Sequence, residues 1–177
     1  MVRILSFDLG FRKMGVFFAD FTDSTTATNT PDIIYWATDC VCTATAPSIS
    51  ELVDATVRYV SGNEWMYTMP DIVVLEQQME TNPKMRAMAN ALQASITSLA
   101  WHVGHKELYV RHVAPRLKYS KFRQFCVWPT KSYTERKHNS VRIADAIVAK
   151  WNLTDKFQKV NYDMADALGN ACAFIFV

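Results

Sequence analysis

Short apolar segments alternate with polar ones along the first half of the chain, in a pattern typical of β-strands. Residues 2–9 and 14–21 are apolar and aromatic runs separated by a turn of hairpin length, and a third run covers 33–42. These three runs predict an antiparallel meander. A continuous apolar run at 71–78 predicts a central strand that is covered on both faces, and a further strand is expected at 108–113.

Apolar residues at helical spacing predict four helices between and after these strands. They are expected near 50–61, from 83 to about 104, near 134–151 and near 161–175, with a basic, loop-rich segment at 116–137. The order of elements predicts an α/β fold with a mixed five-stranded sheet and helices on both faces, as in the ribonuclease H-like architecture. Several α/β folds share this order, so it does not by itself identify one.

Length and composition indicate one globular domain spanning residues 1–177. Half of the residues are hydrophobic and 20% are charged, with only five glycines and six prolines. The N-terminus lacks the apolar segment of a secretory signal, and no stretch is apolar enough for a membrane span, so an intracellular protein without a membrane partner is expected. The four cysteines are Cys40, Cys42, Cys126 and Cys172. They lack the paired spacing of a zinc site or a disulfide framework, so we expect reduced, mostly buried thiols.

The net charge of +2 conceals an acidic part followed by a basic one. Residues 1–105 hold six Lys/Arg against eleven Asp/Glu, whereas residues 106–160 hold thirteen against four. Aromatic residues are interleaved with the basic ones, and this combination favours a nucleic-acid partner, although a charged run can also be a solvated face. Expected DNA contacts within and just before the third predicted helix are Arg116, Lys118, Lys121, Arg123, Lys131 and Arg136. Arg12 and Lys13, directly after the first strand, are further candidates.

Four acidic residues form the strongest chemical pattern. Asp8 and Glu76 each end an apolar strand, and like charges on adjacent strands call for a cation. Asp163 and Asp166 are spaced i, i+3, so they lie on one side of the last helix, whose other residues are apolar. Each feature also has a simpler explanation. An acid at the end of a strand can be solvated, and aspartates at the start of a helix interact favourably with the helix dipole.

Taken together, the four carboxylates supply the hard oxygen ligands that suit Mg²⁺, or Mn²⁺ in its place, rather than zinc. Two such ions about 4 Å apart can activate a water and stabilise the leaving 3′ oxygen during attack on phosphate. The pattern therefore predicts phosphodiester hydrolysis without a covalent intermediate. No small-molecule cofactor is expected.

Three segments carry a resemblance to a known family. SFDLGFRKMGVFF at 6–18, VVLEQQ at 73–78 and YDMADALGNA at 162–171, in this order and at these separations, resemble the RuvC-like Holliday junction resolvases. The branch found in poxviruses and fungal mitochondria is the most similar. The match spans nearly the whole chain, whereas the D-x-G start alone is shared with sugar kinases and actin-like ATPases.

The resemblance implies a homodimeric, Mg²⁺-dependent endonuclease that makes paired symmetric nicks in four-way and other branched DNA. The family's metal-binding acids correspond to Asp8, Glu76, Asp163 and Asp166. A basic residue that contacts the scissile phosphate is expected among Lys131, Arg136 and Lys137, and Lys137 is preferred, although a solvated lysine at a helix start is an equal alternative. The long helix at 83–102 is expected at the dimer interface, because two-fold pairing suits a two-fold junction.

Other functions remain open at this point. The same metal site would serve a ribonuclease H or transposase-like nuclease acting on other nucleic acids. A catalytically inactive junction-binding protein is a further alternative, which the intact acidic quartet argues against. A fragment of an actin-like ATPase or sugar kinase fits poorly, because a second glycine-rich phosphate motif is missing. The resemblance implies a viral replication site in the host cytoplasm or the mitochondrion as the place of action.

Overall fold

A computed structural model describes residues 1–22, 30–105, 107–125, 132–157 and 159–175. Five strands form one mixed sheet in the order β3-β2-β1-β4-β5. The first three strands are antiparallel neighbours, whereas β4 is parallel to β1 and β5 is parallel to β4. The strands are β1 (Val2–Asp8), β2 (Met14–Phe21), β3 (Asp32–Asp39), β4 (Ile72–Glu76) and β5 (Tyr109–Val113).

Five helices connect and cover these strands: α1 (Ile49–Gly62), α2 (Pro83–His102), α3 (Leu117–Lys121), α4 (Tyr133–Lys150) and α5 (Tyr162–Ile175). Side chains mark where three of them begin. Ser48 and Glu51 form a capping box at α1, Asn82 caps α2 ahead of a proline, and Ser132 caps α4. Short 3₁₀ turns follow α1 at Glu64–Tyr67 and α3 at Arg123–Phe125.

The sheet has a hydrophobic core on each face because its strands alternate side chains between the two. On one face, Leu5 and Phe7 of β1 pack with side chains of α1 and α2. On the other face, Ile4 packs with side chains of α4 and α5. Helices therefore cover both faces, and the predicted mixed five-stranded sheet is confirmed.

Two sequence predictions need correction. The basic segment after β5 is not mainly loop in its described part, because α3 and a 3₁₀ turn form there and α4 begins at Tyr133. Of the three described cysteines, only Cys172 is buried; Cys40 is exposed and Cys42 is intermediate, because they follow the end of edge strand β3. Cys126 lies outside the described residues. No helix in the described ranges is long and apolar enough to cross a membrane.

Candidate active site

The carboxyl ends of the parallel strands β1 and β4 bring two acids together. Phe7 pairs with Leu75 in the parallel register, so Asp8 and Glu76 follow side by side at the same edge of the sheet. Their side chains are only 16% and 19% exposed. Because Asp8 lies on the same face as Ile4, it faces the layer formed by α4 and α5.

The first turn of α5 brings the other two acids to the same place. It does so through a glycine in β2, because Gly15 pairs with Asp8 and lies against the backbone of α5. A Cβ atom at Gly15 would lie 1.9 Å from the carbonyl oxygen of Asp163. The missing side chain therefore lets α5 approach the sheet closely enough for Asp163 and Asp166 to join the strand-end acids.

Two lysines lie among the four carboxylates. The Lys137 Nζ is 2.8 Å from Asp166 Oδ2, 3.7 Å from Asp163 Oδ1 and 3.9 Å from Asp8 Oδ2. The Lys118 Nζ is 2.5 Å from Asp166 Oδ1 and 3.4 Å from Glu76 Oε2. All four predicted acids are thus linked through the two ammonium groups, and the preferred basic residue, Lys137, lies in the site.

Asp166 is the most fully hydrogen-bonded of the four acids. Ser140 Oγ donates to its Oδ1 at 2.5 Å, in addition to the bonds from Lys118 and Lys137. Tyr119 OH and Ser140 Oγ are 3.0 Å apart, which extends the network to α3. Burial alone would raise the pKa of Asp166, but the two lysines outweigh it and hold that pKa below its ordinary value.

Asp8 has the opposite electrostatic environment. Burial, together with the negative charges of Asp166 and Glu76, raises the pKa of Asp8 to about 8. The two lysines counteract this shift only in part. Burial would lower the pKa of Lys118 and of Lys137, yet the carboxylates raise both above the ordinary lysine value, so both ammonium groups stay charged. The site therefore combines charged lysines with a carboxylate that lacks sufficient positive charge beside it.

A cavity of about 560 Å³ opens onto this cluster. Arg116 and Arg136, two of the predicted DNA contacts, are exposed at its wall. The Tyr133 ring lies 5.8 Å from the Arg136 guanidinium and 5.9 Å from the Lys137 ammonium. The lining consists of Asp8, Glu76, Gln77, Gln78, Met79, Asn82, Pro115, Arg116, Lys118, Tyr119, Tyr133, Arg136, Lys137 and Asp166.

The remaining predicted DNA contacts have different locations. Lys118 belongs to the basic run in sequence, but its side chain is only 3% exposed and lies among the carboxylates, so its predicted contact with DNA stays a prediction. Its ion pairs with the buried carboxylates hold it there. Four others are exposed and do not line the cavity: Arg12, Lys13, Lys121 and Arg123. Lys131 lies outside the described residues.

The chemistry of the site suits a hard divalent cation. Four carboxylates face only two ammonium groups, and burial together with the neighbouring negative charges raises the pKa of Asp8. As the side chains stand, however, no group of three or more His, Cys, Asp or Glu residues in the described part of the chain is arranged to hold a metal ion. The two lysines lie between the carboxylates instead. Residues and charge therefore fit such an ion, provided that the more exposed ammonium group of Lys137 moves away from Asp8 and Asp163.

Sequence reasoning missed Ser140 and Gly169 as residues of the site, and it counted Tyr133 only among the aromatic residues of the basic segment. Ser140 lies one turn after Lys137 on α4, and that spacing places both on the side that faces Asp166. Tyr133 stands one turn before Lys137 and is 65% exposed at the cavity. Gly169 lies three residues after Asp166 and faces the stem of Lys118, since a Cβ there would be 3.3 Å from Lys118 Cδ. Helical spacing from Lys137 and Asp166 is the signal that could have identified them.

Comparison with known proteins places this arrangement in context. No protein-family model matches the chain, and no curated protein matches it in sequence. Among solved structures, Thermus thermophilus RuvC aligns with 98% of this chain and 93% of its own, with a TM-score of 0.61 and 13% identity. The fowlpox virus resolvase, solved with its Holliday junction DNA substrate, aligns with 98% of this chain and 96% of its own (TM-score 0.57, 16% identity).

The yeast mitochondrial Holliday junction resolvase Ydc2 aligns with 99% of this chain and 78% of its own, with a TM-score of 0.56 and 18% identity. At such identities the likeness is one of fold. The resemblance seen in the sequence motifs is confirmed at that level: this chain has the fold of the RuvC-like Holliday junction resolvases.

Proposed function

We propose that this protein is a divalent-metal-dependent endonuclease that resolves four-way DNA junctions by paired nicking. The observation that carries the proposal is the convergence of Asp8, Glu76, Asp163 and Asp166 around two lysines beside an open cavity. Two of these acids end parallel strands and two lie on one turn of a helix. Their carboxylate oxygens are hard metal ligands beside a cavity that a phosphate can enter, and this arrangement suits phosphodiester hydrolysis.

Mg²⁺, with Mn²⁺ as a substitute, would be held by the four carboxylates and, as a pair of ions, would activate a water and stabilise the leaving 3′ oxygen. The chain's own cations would handle the DNA. Lys137 reaches the cavity from α4 and is in a position to contact the scissile phosphate. Arg116 and Arg136 at the cavity wall would neutralise neighbouring phosphates. Gln78 donates to the Glu76 carbonyl at 3.1 Å and so supports the chain end of β4.

Branched DNA is the substrate that the fold comparison favours. The fowlpox resolvase and Thermus thermophilus RuvC have both been solved with Holliday junction DNA. In this chain the basic residues at the cavity provide a positive surface of the kind that DNA phosphates require. The enzyme would be one nuclease domain acting inside the cell, where replicating or recombining DNA forms junctions.

A homodimer is part of the proposal, because two opposed strands must be cut. The exposed side of α2 is the candidate interface. It borders a shallow depression lined by Asn90, Gln93, Ala94, Thr97, Ser98 and Trp101. Trp101 is 67% exposed, and an aromatic residue beside small side chains is a suitable anchor for a second copy. Sedimentation should give a dimer that Trp101→Glu converts to a monomer; a wild-type monomer both alone and on junction DNA would refute the dimer.

The function is tested by incubating the protein with Mg²⁺ and a labelled four-way junction, beside duplex, flap and RNA–DNA hybrid substrates. We expect cutting of the junction by the wild type and none by Glu76→Gln, whose junction affinity should stay within about threefold because binding rests on the basic residues. Cutting of the hybrid alone would indicate a ribonuclease H-like enzyme instead. Junction binding without cutting would indicate an inactive binding protein, and equal cutting by Glu76→Gln would refute the site.

A further inference from the structure

Lys118 is an unusual member of the site because its charge is buried. Its side chain is 3% exposed, and its Nζ lies between Asp166 and Glu76. The aliphatic stem runs along α5 at Gly169, where any larger residue would crowd it. An ammonium group in such a place is costly to desolvate unless carboxylates surround it, so Lys118 is held as a fixed positive charge.

The second lysine of the site is held less tightly. The Lys137 side chain is 20% exposed and spreads its contacts over Asp166, Asp163 and Asp8, with two of the distances above 3.5 Å. It enters from the cavity side, where the backbone of bound DNA would pass. Lys137 can therefore turn toward a phosphate, whereas Lys118, although it also borders the cavity, is almost fully buried and is held by Asp166 and Glu76.

The fixed charge changes what the carboxylates can bind. Four carboxylates and two ammonium groups leave a net charge of −2 when all are ionised. One divalent ion cancels that charge, whereas a second ion would make this poorly solvated site positive. The affinity of such a site for divalent ions depends on the total negative charge of its ligands. A second ion therefore needs the added negative charge of a DNA phosphate.

We propose that Lys118 is a resident cation that limits the DNA-free site to one divalent ion, so that a second ion enters only together with the scissile phosphate. This proposal rests on the proposed function, since it concerns the same metal site. The ion that binds without DNA would be held mainly by Asp8, Glu76 and Asp163, because both oxygens of Asp166 already accept hydrogen bonds. Lys118 is in this sense a positioning residue, which acts through the carboxylates.

The test counts Mn²⁺ ions per chain by electron paramagnetic resonance and calorimetry, without any turnover. The DNA-free wild type should bind one Mn²⁺. It should bind two when saturated with a four-way junction whose central linkages are uncleavable 3′-methylene phosphonates. Lys118→Met, which keeps the volume of the stem but removes the charge, should bind a second Mn²⁺ without DNA at least about tenfold more tightly than the wild type.

Lys150→Met is the matched control, since Lys150 is exposed at the end of α4 and has none of the ion pairs to the acids. It should keep a count of one. Two equally tight ions in the DNA-free wild type, or an unchanged count in a cooperatively melting Lys118→Met, would overturn the proposal. If Lys118→Met does not melt cooperatively, the Mn²⁺ counts of the wild type decide. A wild type that still binds only one Mn²⁺ when saturated with the junction would also overturn the proposal.

These outcomes are distinct from failure of the proposed function. A wild type that binds one Mn²⁺ but cuts no junction would refute the function, while Lys118→Met would still test the role of Lys118. A wild type that binds no Mn²⁺ at all would overturn both proposals.

Discussion

The two ends of strand β1 hold partly buried charges in contrasting environments. At its start, the guanidinium of Arg3 donates to both oxygens of Asp20, at 2.7 and 2.9 Å, and the Arg3 backbone N–H donates to Asp71 at 2.7 Å. At its end, the Asp8 carboxylate accepts no hydrogen bond from the described residues, and its ion-pair partner, Lys137, is 3.9 Å away. One strand therefore begins in a satisfied charge network and ends in an unsatisfied one.

The difference separates charges that hold the fold together from charges that await a ligand. The hydrogen bond to Asp20 raises the pKa of Arg3 further above its ordinary value, so the pair stabilises its own charged state. Burial and neighbouring acids instead raise the pKa of Asp8, which means that the charged state of Asp8 is disfavoured. A folded protein tolerates such a defect where function requires it, which supports the proposal that the acidic end of the sheet is the functional one.

The largest effect is expected at the unsatisfied end. Asp8→Asn should reduce the single-turnover rate of junction cleavage by at least about 10³-fold, because a ligand for the metal is lost. The same change should raise the unfolding free energy in EDTA at neutral pH by about 1 kcal/mol, because it removes a carboxyl group whose ionised form is disfavoured in the folded state. Cleavage assays and thermal melts measure the two effects. A variant that cuts normally, or that melts below the wild type, would contradict this view of Asp8.

The next effect concerns the contact that brings α5 to the acidic end. Gly15→Ala should lower the unfolding free energy by about 3 kcal/mol, because its Cβ would collide with the Asp163 carbonyl and force α5 away from β2. Cleavage by the folded fraction should fall as well. Gly62→Ala is the matched control, since a Cβ there meets nothing within 4 Å at the end of α1. Equal denaturant midpoints for the two variants would show that the close approach is not needed.

At the satisfied end the expected pattern is reversed. Asp20→Asn should cost about 2 kcal/mol of stability, because the Arg3 guanidinium loses its charged partner in a partly buried position. The cleavage rate per folded molecule should remain within about twofold of the wild type, measured well below the melting temperature. A loss of cleavage comparable to that of Asp8→Asn would mean that the two ends do not have separate roles.

The smallest effects are expected at the rim of the cavity. Arg116→Ala and Arg136→Ala should each weaken junction binding only several-fold, and each should reduce the slope of log affinity against log salt by about one. Arg58→Ala, at an exposed position on α1 that does not line the cavity, is the control and should leave the slope unchanged. Slopes equal to the wild-type value in both rim variants would place the DNA path elsewhere on the protein.

The sequence was most informative where local pattern and tertiary structure agree. Apolar runs marked β1 and β2 to within one residue, because every residue of both strands is buried or half-buried. The four acids were identified because strand ends and i, i+3 spacing are local signals. The position of Lys137 beside these acids also follows from the spacing of residues along α4, once α4 is known to cover the same face of the sheet.

The burial of Lys118 could not be predicted in the same way. Its main partner, Asp166, is 48 residues away in sequence, and the contact depends on the packing of α3 against Gly169. Within a run of basic residues, nothing local distinguishes a lysine that points inward from those on the surface. Composition therefore predicts a DNA-binding surface but does not distinguish the buried Lys118 from the exposed basic residues around it.

The central claim is that the acidic end of the sheet is one half of a paired nuclease centre. It is tested most directly with a supercoiled plasmid that extrudes a cruciform, incubated with the protein and Mg²⁺. Two coordinated cuts across the junction convert the plasmid to a linear product, whereas isolated cuts leave nicked circles. We predict linear product from the wild type and none from Asp8→Asn. Uncut plasmid, or nicked circles alone with the wild type in excess, would contradict the account.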